Sequence, residues 1–369
     1  MDNYEFYVIL SGSAMQYAES FKKDLYNVRW FYPSNAYDEG FVEHSEKILP
    51  FCTTKVTDEQ YELLYKTLKS FAVKINPSII IRGTPCFELG VEELLPRVSK
   101  DIGVECYCYQ ECYGVGNCLN DNEDKIACIG VNNVGVIDFY AKTILLKAGF
   151  AKDIVIVGDI TYWRYKHLES FSARRKRIRK TLGVGDDFVI LYCMLAVNDS
   201  ENEVRHFMDV ASSIAVLHKR NTNVKFFVKF HPRNNDKEKA LVRSSNTDFI
   251  EFEYSADDAC CFADVIISAC SSINGDALAY YSAFENEQCM LKSIYTKGEW
   301  EHNLVVQHMH CAEWQKYRIK DGHVFCDIGD DLTFLLESIL SSDLTQPKTV
   351  LFVPKKPLCL ENLFNGEFL

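Results

Sequence analysis

Two short stretches concentrate residue types suited to holding a phosphate. In residues 223–235, NVKFFVKFHPRNN, an apolar run ends at His231-Pro232-Arg233 and turns polar. In residues 265–280, VIISACSSINGDALAY, a second apolar run ends at Ser271-Ser272, with Asp276 following. A histidine N–H donates to phosphate oxygen, and an arginine adds a charge-assisted bond. Two serines at a helix start add hydroxyl donors where backbone N–H groups and the helix dipole already favour an anion. Asp276, one turn into that helix, has the chemistry to accept from a ribose diol. Each motif alone has a bland reading, as a solvated loop or a double-serine cap. Together they read as a cradle for a nucleotide mono- or diphosphate. Asn198 follows a third apolar run, FVILYCML, and would face the nucleotide from there.

Elements must bring these residues together. Apolar runs of strand length alternate with longer amphipathic segments along the whole chain. EFYVILSG, NVRWFYP, PSIIIRGTP, VECYCYQE and KIACIGV read as strands of a first series. Between them, SAMQYAESFKKDL, DEQYELLYKTLKSFAVKI and CFELGVEELLPRVSKDIG read as helices, and VIDFYAKTILLKAGF as a helix closing the series. A second series opens at DIVIVGD and runs through FVILYCML, VKFFVKFHP, FIEFEY and DVIISACSS, each followed or preceded by a helical pattern. Gly103 and Gly183 stand where helices should stop. Strand–helix alternation with short loops implies parallel sheets covered by helices on both faces. The expected fold is therefore α/β, with two doubly wound Rossmann-like domains facing a cleft. We place them at 1–155 and 156–345, with an apolar, Pro-containing tail at 346–369 packing back on the body. Ligands of such sheets bind beyond the carboxyl ends of the strands. Those ends carry His231, Ser271 and Ser272 in the second domain, and Arg82, Thr84, Gln110 and Glu111 in the first.

Bulk composition narrows the partners. The chain has 369 residues, 47% hydrophobic and 25% charged, with a formal net charge of -12. That length exceeds one comfortable core, and the acidic balance argues against nucleic acid as the main partner. Fifteen cysteines, an odd number, and an acidic N-terminus that lacks a leader pattern point to a reducing cytoplasm. No run approaches the ~20 apolar residues a membrane span needs. Cys106, Cys108, Cys112 and Cys118 lack paired C-x-x-C spacing and read as small buried hydrophobes. His302, His308 and His310 are not spaced as a helical ligand pair, so no metal and no cofactor is expected. Six basic residues fall within 173–180, ARRKRIRK. They read as a solvated helix face, or as a patch drawing an anionic acceptor or a membrane surface.

The His-Pro pair followed some tens of residues later by Ser-Ser resembles the nucleotide-binding domain of GT-B glycosyltransferases. The likeness is to bacterial sialyltransferases and polysialyltransferases, Kdo transferases and CDP-glycerol glycerophosphotransferases, and covers about 154–282. The resemblance implies that His231, Ser271 and Ser272 contact the phosphate of a cytidine nucleotide. It implies a first-domain acid as general base for the acceptor hydroxyl. Gln110-Glu111-Cys112-Tyr113-Gly114 is similar to that acidic element, but Gln110 stands in place of the leading acid and one extra residue precedes Gly114. Glu111 is the base candidate. In such folds the loop after the first strand, Gly12-Ser13, faces the acceptor side with Arg82, Thr84 and Gln110. The expectation is an inverting, metal-independent transfer from a CMP- or CDP-linked sugar, with UDP as an alternative, to a glycan or lipid-linked acceptor. A nucleotide-sugar 2-epimerase of the same fold, a non-catalytic nucleotide- or glycan-binding module and a transferase acting on nucleic acid are the alternatives.

Overall fold

The computed structural model describes residues 6–10, 28–32, 45–47, 58–82, 91–109, 133–136, 142, 145–146, 153–156, 165, 170–195, 200–232, 234–245, 247–269, 272–284, 292–296, 323–326 and 331–341. They divide into two units, with the break between Arg164 and Tyr165.

The first unit is built on seven parallel strands. These are β1 (Phe6–Leu10), β2 (Val28–Tyr32), β3 (Ser45–Lys47), β4 (Ile79–Arg82), β5 (Cys106–Tyr109), β6 (Asn133–Val136) and β7 (Asp153–Ile156). Their order is β3-β2-β1-β4-β5-β6-β7. Val8, Ile9 and the Ile79–Ile81 run are almost fully buried, as strands covered on both faces must be. Helix α1 (Asp58–Ile75) packs on α2 (Val91–Ile102). Arg97 stacks 3.7 Å from the centre of the Tyr65 ring and pairs with Glu62 at 2.6 Å, while Tyr65 and Lys69 both donate to Asp101. Gly103 ends α2 at φ +74°, and Val104 N–H reaches back to Ser99 O. That left-handed stop is where glycine carries no Cβ penalty.

The second unit has a six-stranded parallel sheet. Its strands are β8 (Phe188–Cys193), β9 (Val224–Lys229), β10 (Ile250–Glu251), β11 (Val265–Ser268), β12 (Lys292–Thr296) and β13 (His323–Cys326). The order is β10-β9-β8-β11-β12-β13. The chain winds outward from β8 to β10, crosses back to β11 beside β8, and winds outward the other way. This is the Rossmann order, and its reversal point lies between the carboxyl ends of β8 and β11. The helices are α3 (Phe171–Thr181), α4 (Ser200–Arg220), α5 (Asp236–Arg243), α6 (Ala256–Phe262), α7 (Ser272–Ala283) and α8 (Leu332–Leu340). Ile190 and Tyr192 of β8 meet Phe207, Ile214 and Leu217 of α4 and Leu336 of α8 on one face. On the other face Phe227 sits edge-on to Phe262 of α6, ring centres 4.8 Å apart. The alternating parity along β8 and β9 thus feeds two cores, one per face.

Two features differ from the sequence reading. DIVIVGD, read as the opening of the second series, is β7, which pairs with β6 and closes the first sheet. Val136, read as the first residue of a helix, is the last residue of β6, and of that helix Lys142, Leu145 and Leu146 are described as helical. Strands β3, β12 and β13, like β6, escape the hydrophobic pattern: each is short and carries polar or small residues. The predicted strand at 125–131, the helix at 13–25 and the tail at 346–369 lie outside the described residues.

The basic helix also departs from a simple solvated face. Arg174 makes two hydrogen bonds to Asp258, at 2.8 and 3.1 Å. Arg175 donates to the carbonyls of Cys261, Phe262 and Ala263 and to Asp264. Arg179, 7% exposed, donates to Phe262 O, Gly185 O, Asp187 O and Asp264. Asp264 also accepts from Val189 N–H at 2.8 Å. Arg174 thus ties α3 to the first turn of α6, and Arg175 and Arg179 fasten it to the carbonyl end of α6, where cations suit the dipole, and to the amino ends of β8 and β11. This is the sheet edge opposite the one where ligands bind. Lys176, Arg177 and Lys180 are the exposed members.

Candidate functional site

The site is built at the reversal point of the second sheet. Strand β9 ends at Lys229, and the next residues form a tight turn in which Asn234 N–H donates to His231 O at 2.9 Å. Pro232 stands at the second position of that turn, where its fixed φ is favoured and its missing N–H costs nothing. The turn brings the side chain of Asn234 back under its own start: Asn234 Oδ1 accepts the His231 N–H at 2.7 Å. Asn235 then caps α5 in a reciprocal pair with Glu238. The abrupt change from apolar to polar in NVKFFVKFHPRNN is thus strand end, turn and cap in six residues.

Neighbouring strand ends are joined to this turn through side chains. Asn234 Nδ2 donates to Leu195 O at 2.8 Å and to Glu238 at 3.1 Å. Glu203, in the first turn of α4, accepts Leu195 N–H at 2.9 Å and the Tyr192 hydroxyl at 3.2 Å. The Tyr192 hydroxyl also lies 2.7 Å from His206 Nδ1. Ser268, the last residue of β11, donates across to Cys193 O at 2.9 Å. Asn274, in the first turn of α7, donates to Ser293 Oγ of β12 at 2.8 Å. Asn234, Glu203 and Ser268 are thus buried polar side chains at this edge, where strands stop and loops need hydrogen-bond partners, while Asn274 reaches towards the amino half of β12.

Charge is placed here as well. Lys229 donates to Tyr254 O, lies 5.8 Å from the Phe252 ring centre, and has its ammonium pKa lowered by burial. Burial lifts the Cys193 thiol to about 12; the charge of Lys229 opposes that rise and the charge of Asp276 adds to it. Cys193 of β8 thus feels both Lys229 of β9 and Asp276 of α7. Cys193 is an un-ionised thiol at neutral pH, a wall rather than a nucleophile. Burial lowers His206 to about 4, so it is neutral at physiological pH.

The predicted site residues fall as follows. His231 is half-buried at the end of β9, and Asp276 is half-buried in the second turn of α7. Helix α7 begins at Ser272, so the residue before it, Ser271, lies outside the described residues, as do Arg233 and Asn198. In the first unit Arg82 is the last residue of β4 and 1% exposed. It sits beside β1, at that sheet's own reversal point. Gly12, Ser13, Thr84, Gln110 and Glu111 lie outside the described residues. Cys106 and Cys108 are buried thiols, and no metal-binding cluster of His, Cys, Asp or Glu occurs among the described residues. Cys112, Cys118 and the three histidines at 302–310 lie outside them. No described helix is long and apolar enough to cross a membrane.

Asn234 and Glu203 were not anticipated. The signal for Asn234 was present, since two asparagines directly after a proline turn leave one for the turn and one for the Asn235-x-x-Glu238 cap. Glu203 reads from sequence as a carboxylate complementing the α4 dipole; its bond to Leu195 depends on the loop folding back, which no local pattern encodes.

No family model and no curated protein matches the chain. Solved structures do. A Listeria monocytogenes protein provisionally described as a UDP-N-acetylglucosamine 2-epimerase is similar with a TM-score of 0.64 at 10% identity, over 93% of this chain and 92% of that one. The Methanocaldococcus jannaschii UDP-GlcNAc 2-epimerase, solved with UDP-GlcNAc and UDP, gives 0.58 at 12% identity, over 92% and 94%. Acinetobacter baumannii MurG gives 0.50 at 9% identity, over 98% of each chain. The fold is thus of the GT-B type, two Rossmann-like units in one chain. The likeness supports the fold that the His-Pro and Ser-Ser motifs implied. It lends nothing to the narrower sialyltransferase, Kdo transferase and CDP-glycerol group.

Proposed function

We infer that this chain is an enzyme acting on a nucleotide-linked sugar, with a uridine diphosphate sugar as substrate and inversion at carbon 2 of the sugar as its reaction. The observation that supports the nucleotide part is the order of the second sheet, which reverses between β8 and β11: the His231 turn follows β9, the neighbour of β8, and α7, carrying Asp276, follows β11. In this reading His231 and the first turn of α7 hold the diphosphate, and Asp276 accepts from the ribose. Arg233, Ser271, Ser272 and Asn198 belong to the same cradle. The epimerase part, which began as the secondary expectation, is supported by the likeness over more than nine-tenths of both chains to proteins described as UDP-GlcNAc 2-epimerases. That likeness also favours UDP over CMP or CDP. Glu111 remains the candidate base, now for a C–H proton, and Arg82, Thr84, Gln110, Gly12 and Ser13 the candidates for the sugar side. The reading invokes no metal or cofactor.

Glycosyl transfer is the second reading, supported by the likeness to MurG. Its partners would be a nucleotide-sugar donor and a glycan or lipid-linked acceptor in the cytoplasm. One experiment separates the two. Inversion at carbon 2 breaks the C2–H bond and remakes it on the other face, so turnover of UDP-GlcNAc in D2O places deuterium at C2. NMR should then show two interconverting sugar nucleotides, both labelled. Release of UDP only when an acceptor is added would establish transfer instead. UDP binding with neither reaction would leave a binding module.

A further inference from the structure

Leu195 is held at both of its backbone groups by side chains, one from the first turn of α4 and one from the turn after β9. Its N–H donates to Glu203 at 2.9 Å, and its carbonyl accepts from Asn234 Nδ2 at 2.8 Å. The same Asn234 side chain accepts the His231 N–H at 2.7 Å. Asn234 is 5% exposed and Glu203 2%, so both pairs of bonds are made away from water, where each is strong and costly to lose. One asparagine amide thus spends its acceptor on the His231 turn and its donors on the end of β8 and on Glu238. The amide supplies one acceptor oxygen and two N–H donors at once, and all three bonds use them.

We propose that Asn234 is a positioning residue for the nucleotide site, setting the His231 turn against the β8 end at Leu195, with Glu203 fixing Leu195 from the other side. The proposal rests on the nucleotide reading of this edge. A backbone turn left to itself samples several states, and a ligand must then select the competent one, losing affinity by the fraction populated. Asn234 removes that loss by fixing the turn before the ligand arrives.

The experiment is a double-substitution cycle on the full chain, with UDP as the probe and affinity read by calorimetry. Asn234→Ala should weaken UDP about tenfold, in the range expected for losing a buried hydrogen-bonded pair. His231→Ala should weaken it by a similar factor. The double variant should bind no worse than His231→Ala alone, because Asn234 acts through that turn. Losses that multiply, or an Asn234→Ala variant within twofold of the parent, would overturn the proposal. A purely structural asparagine would lower the melting temperature and leave the two losses independent. Asn234→Asp keeps the acceptor for His231 N–H and loses the donors. It should keep His231 protected from hydrogen exchange while exposing the end of β8, and it provides the test if the alanine variant does not fold. Exchange at the His231 amide, measured without nucleotide, stands apart from the functional reading. If the parent protein fails to bind UDP, that reading falls. Asn234→Ala must still speed exchange at His231 at least tenfold, or the positioning inference falls too.

Discussion

His231 and His206 stand in opposite surroundings, one just after β9 and the other within α4 against Tyr192 of β8. His231 is half-buried at the ligand edge. His206 is enclosed, and burial holds it near 4. The folded protein therefore resists protonating His206, while the unfolded chain protonates it near 6.5. Between those values the unfolded state binds the extra proton, so stability is unaffected above about pH 6.5 and declines as pH falls towards 4. The full loss is about 3 kcal/mol. Denaturant titrations of the parent and of His206→Leu should diverge in slope by one proton across that window and run parallel above it. A second residue-scale expectation concerns Asp276. Asp276→Ala should weaken UDP by about 1–3 kcal/mol, as for a hydrogen bond to a charged group. It should weaken uridine-free pyrophosphate much less, because the partner proposed for it is the ribose. Equal losses for both probes, measured by calorimetry, would move Asp276 to the phosphate.

At the scale of elements, α3 is the case where charge and location part company. A run of six basic residues in eight invites an electrostatic partner outside the molecule. Arg174, Arg175 and Arg179 instead answer the carbonyl end of α6 and the carboxylates of Asp258 and Asp264. Asp264 keeps Arg175 and the Val189 N–H when Arg179 is removed, but the carbonyls of Phe262, Gly185 and Asp187 lose their donor. Arg179→Met should thus lower the unfolding free energy by about 1–3 kcal/mol, the cost of buried acceptors left unpaired. UDP affinity should be unchanged, since the clasp lies at the amino edge. The stop of α3 has a smaller, separate test. Gly183 has φ +68° with open space where a Cβ would go, and Val184 N–H reaches Arg179 O in the turn it makes. Gly183→Ala should cost about 1–2 kcal/mol through backbone strain alone, read as a lower denaturation midpoint with an unaltered m-value.

What the sequence makes legible follows from the range of the interactions. Helix α1 spans the whole predicted segment, because eighteen residues of apolar periodicity outvote any local accident. Strands β8, β9 and β11 are continuous apolar runs and equally plain. Strands β3, β6, β12 and β13 hold three to five residues and owe their strand form to a neighbour already in place. In the site, His231 is legible because its type clashes with the run it ends. Glu203 and the clasping arginines are not, because their partners lie eight residues away through a loop and more than eighty residues away through the fold.

For the molecule as a whole, a parallel sheet that reverses between β8 and β11 concentrates ligand response at one edge. UDP at a hundredfold excess over its dissociation constant should raise the stability of the second unit by about 2.7 kcal/mol. Amide exchange should slow at Met194–Leu195, at the His231 turn and at the start of α7. It should not slow at the α3–α6 clasp beyond the global effect, nor in the first unit by the second unit's stabilisation alone. Uniform slowing throughout would contradict a site confined to that edge.

The same reversal has a bearing on biosynthesis. Ser268 and Cys193 close a loop of 75 residues, as do Asp264 and Val189. A growing chain that has emerged only through β10 has β8 without its central neighbour and α3 with Arg175 and Arg179 waiting for Asp264. Closing a flexible loop of that length costs about 4 kcal/mol in chain entropy, recovered only when β11 arrives. The second unit therefore cannot mature strand by strand. It completes in one late step, and the carboxyl edge proposed to hold the nucleotide, which lies on the closing seam, is absent until that step is done.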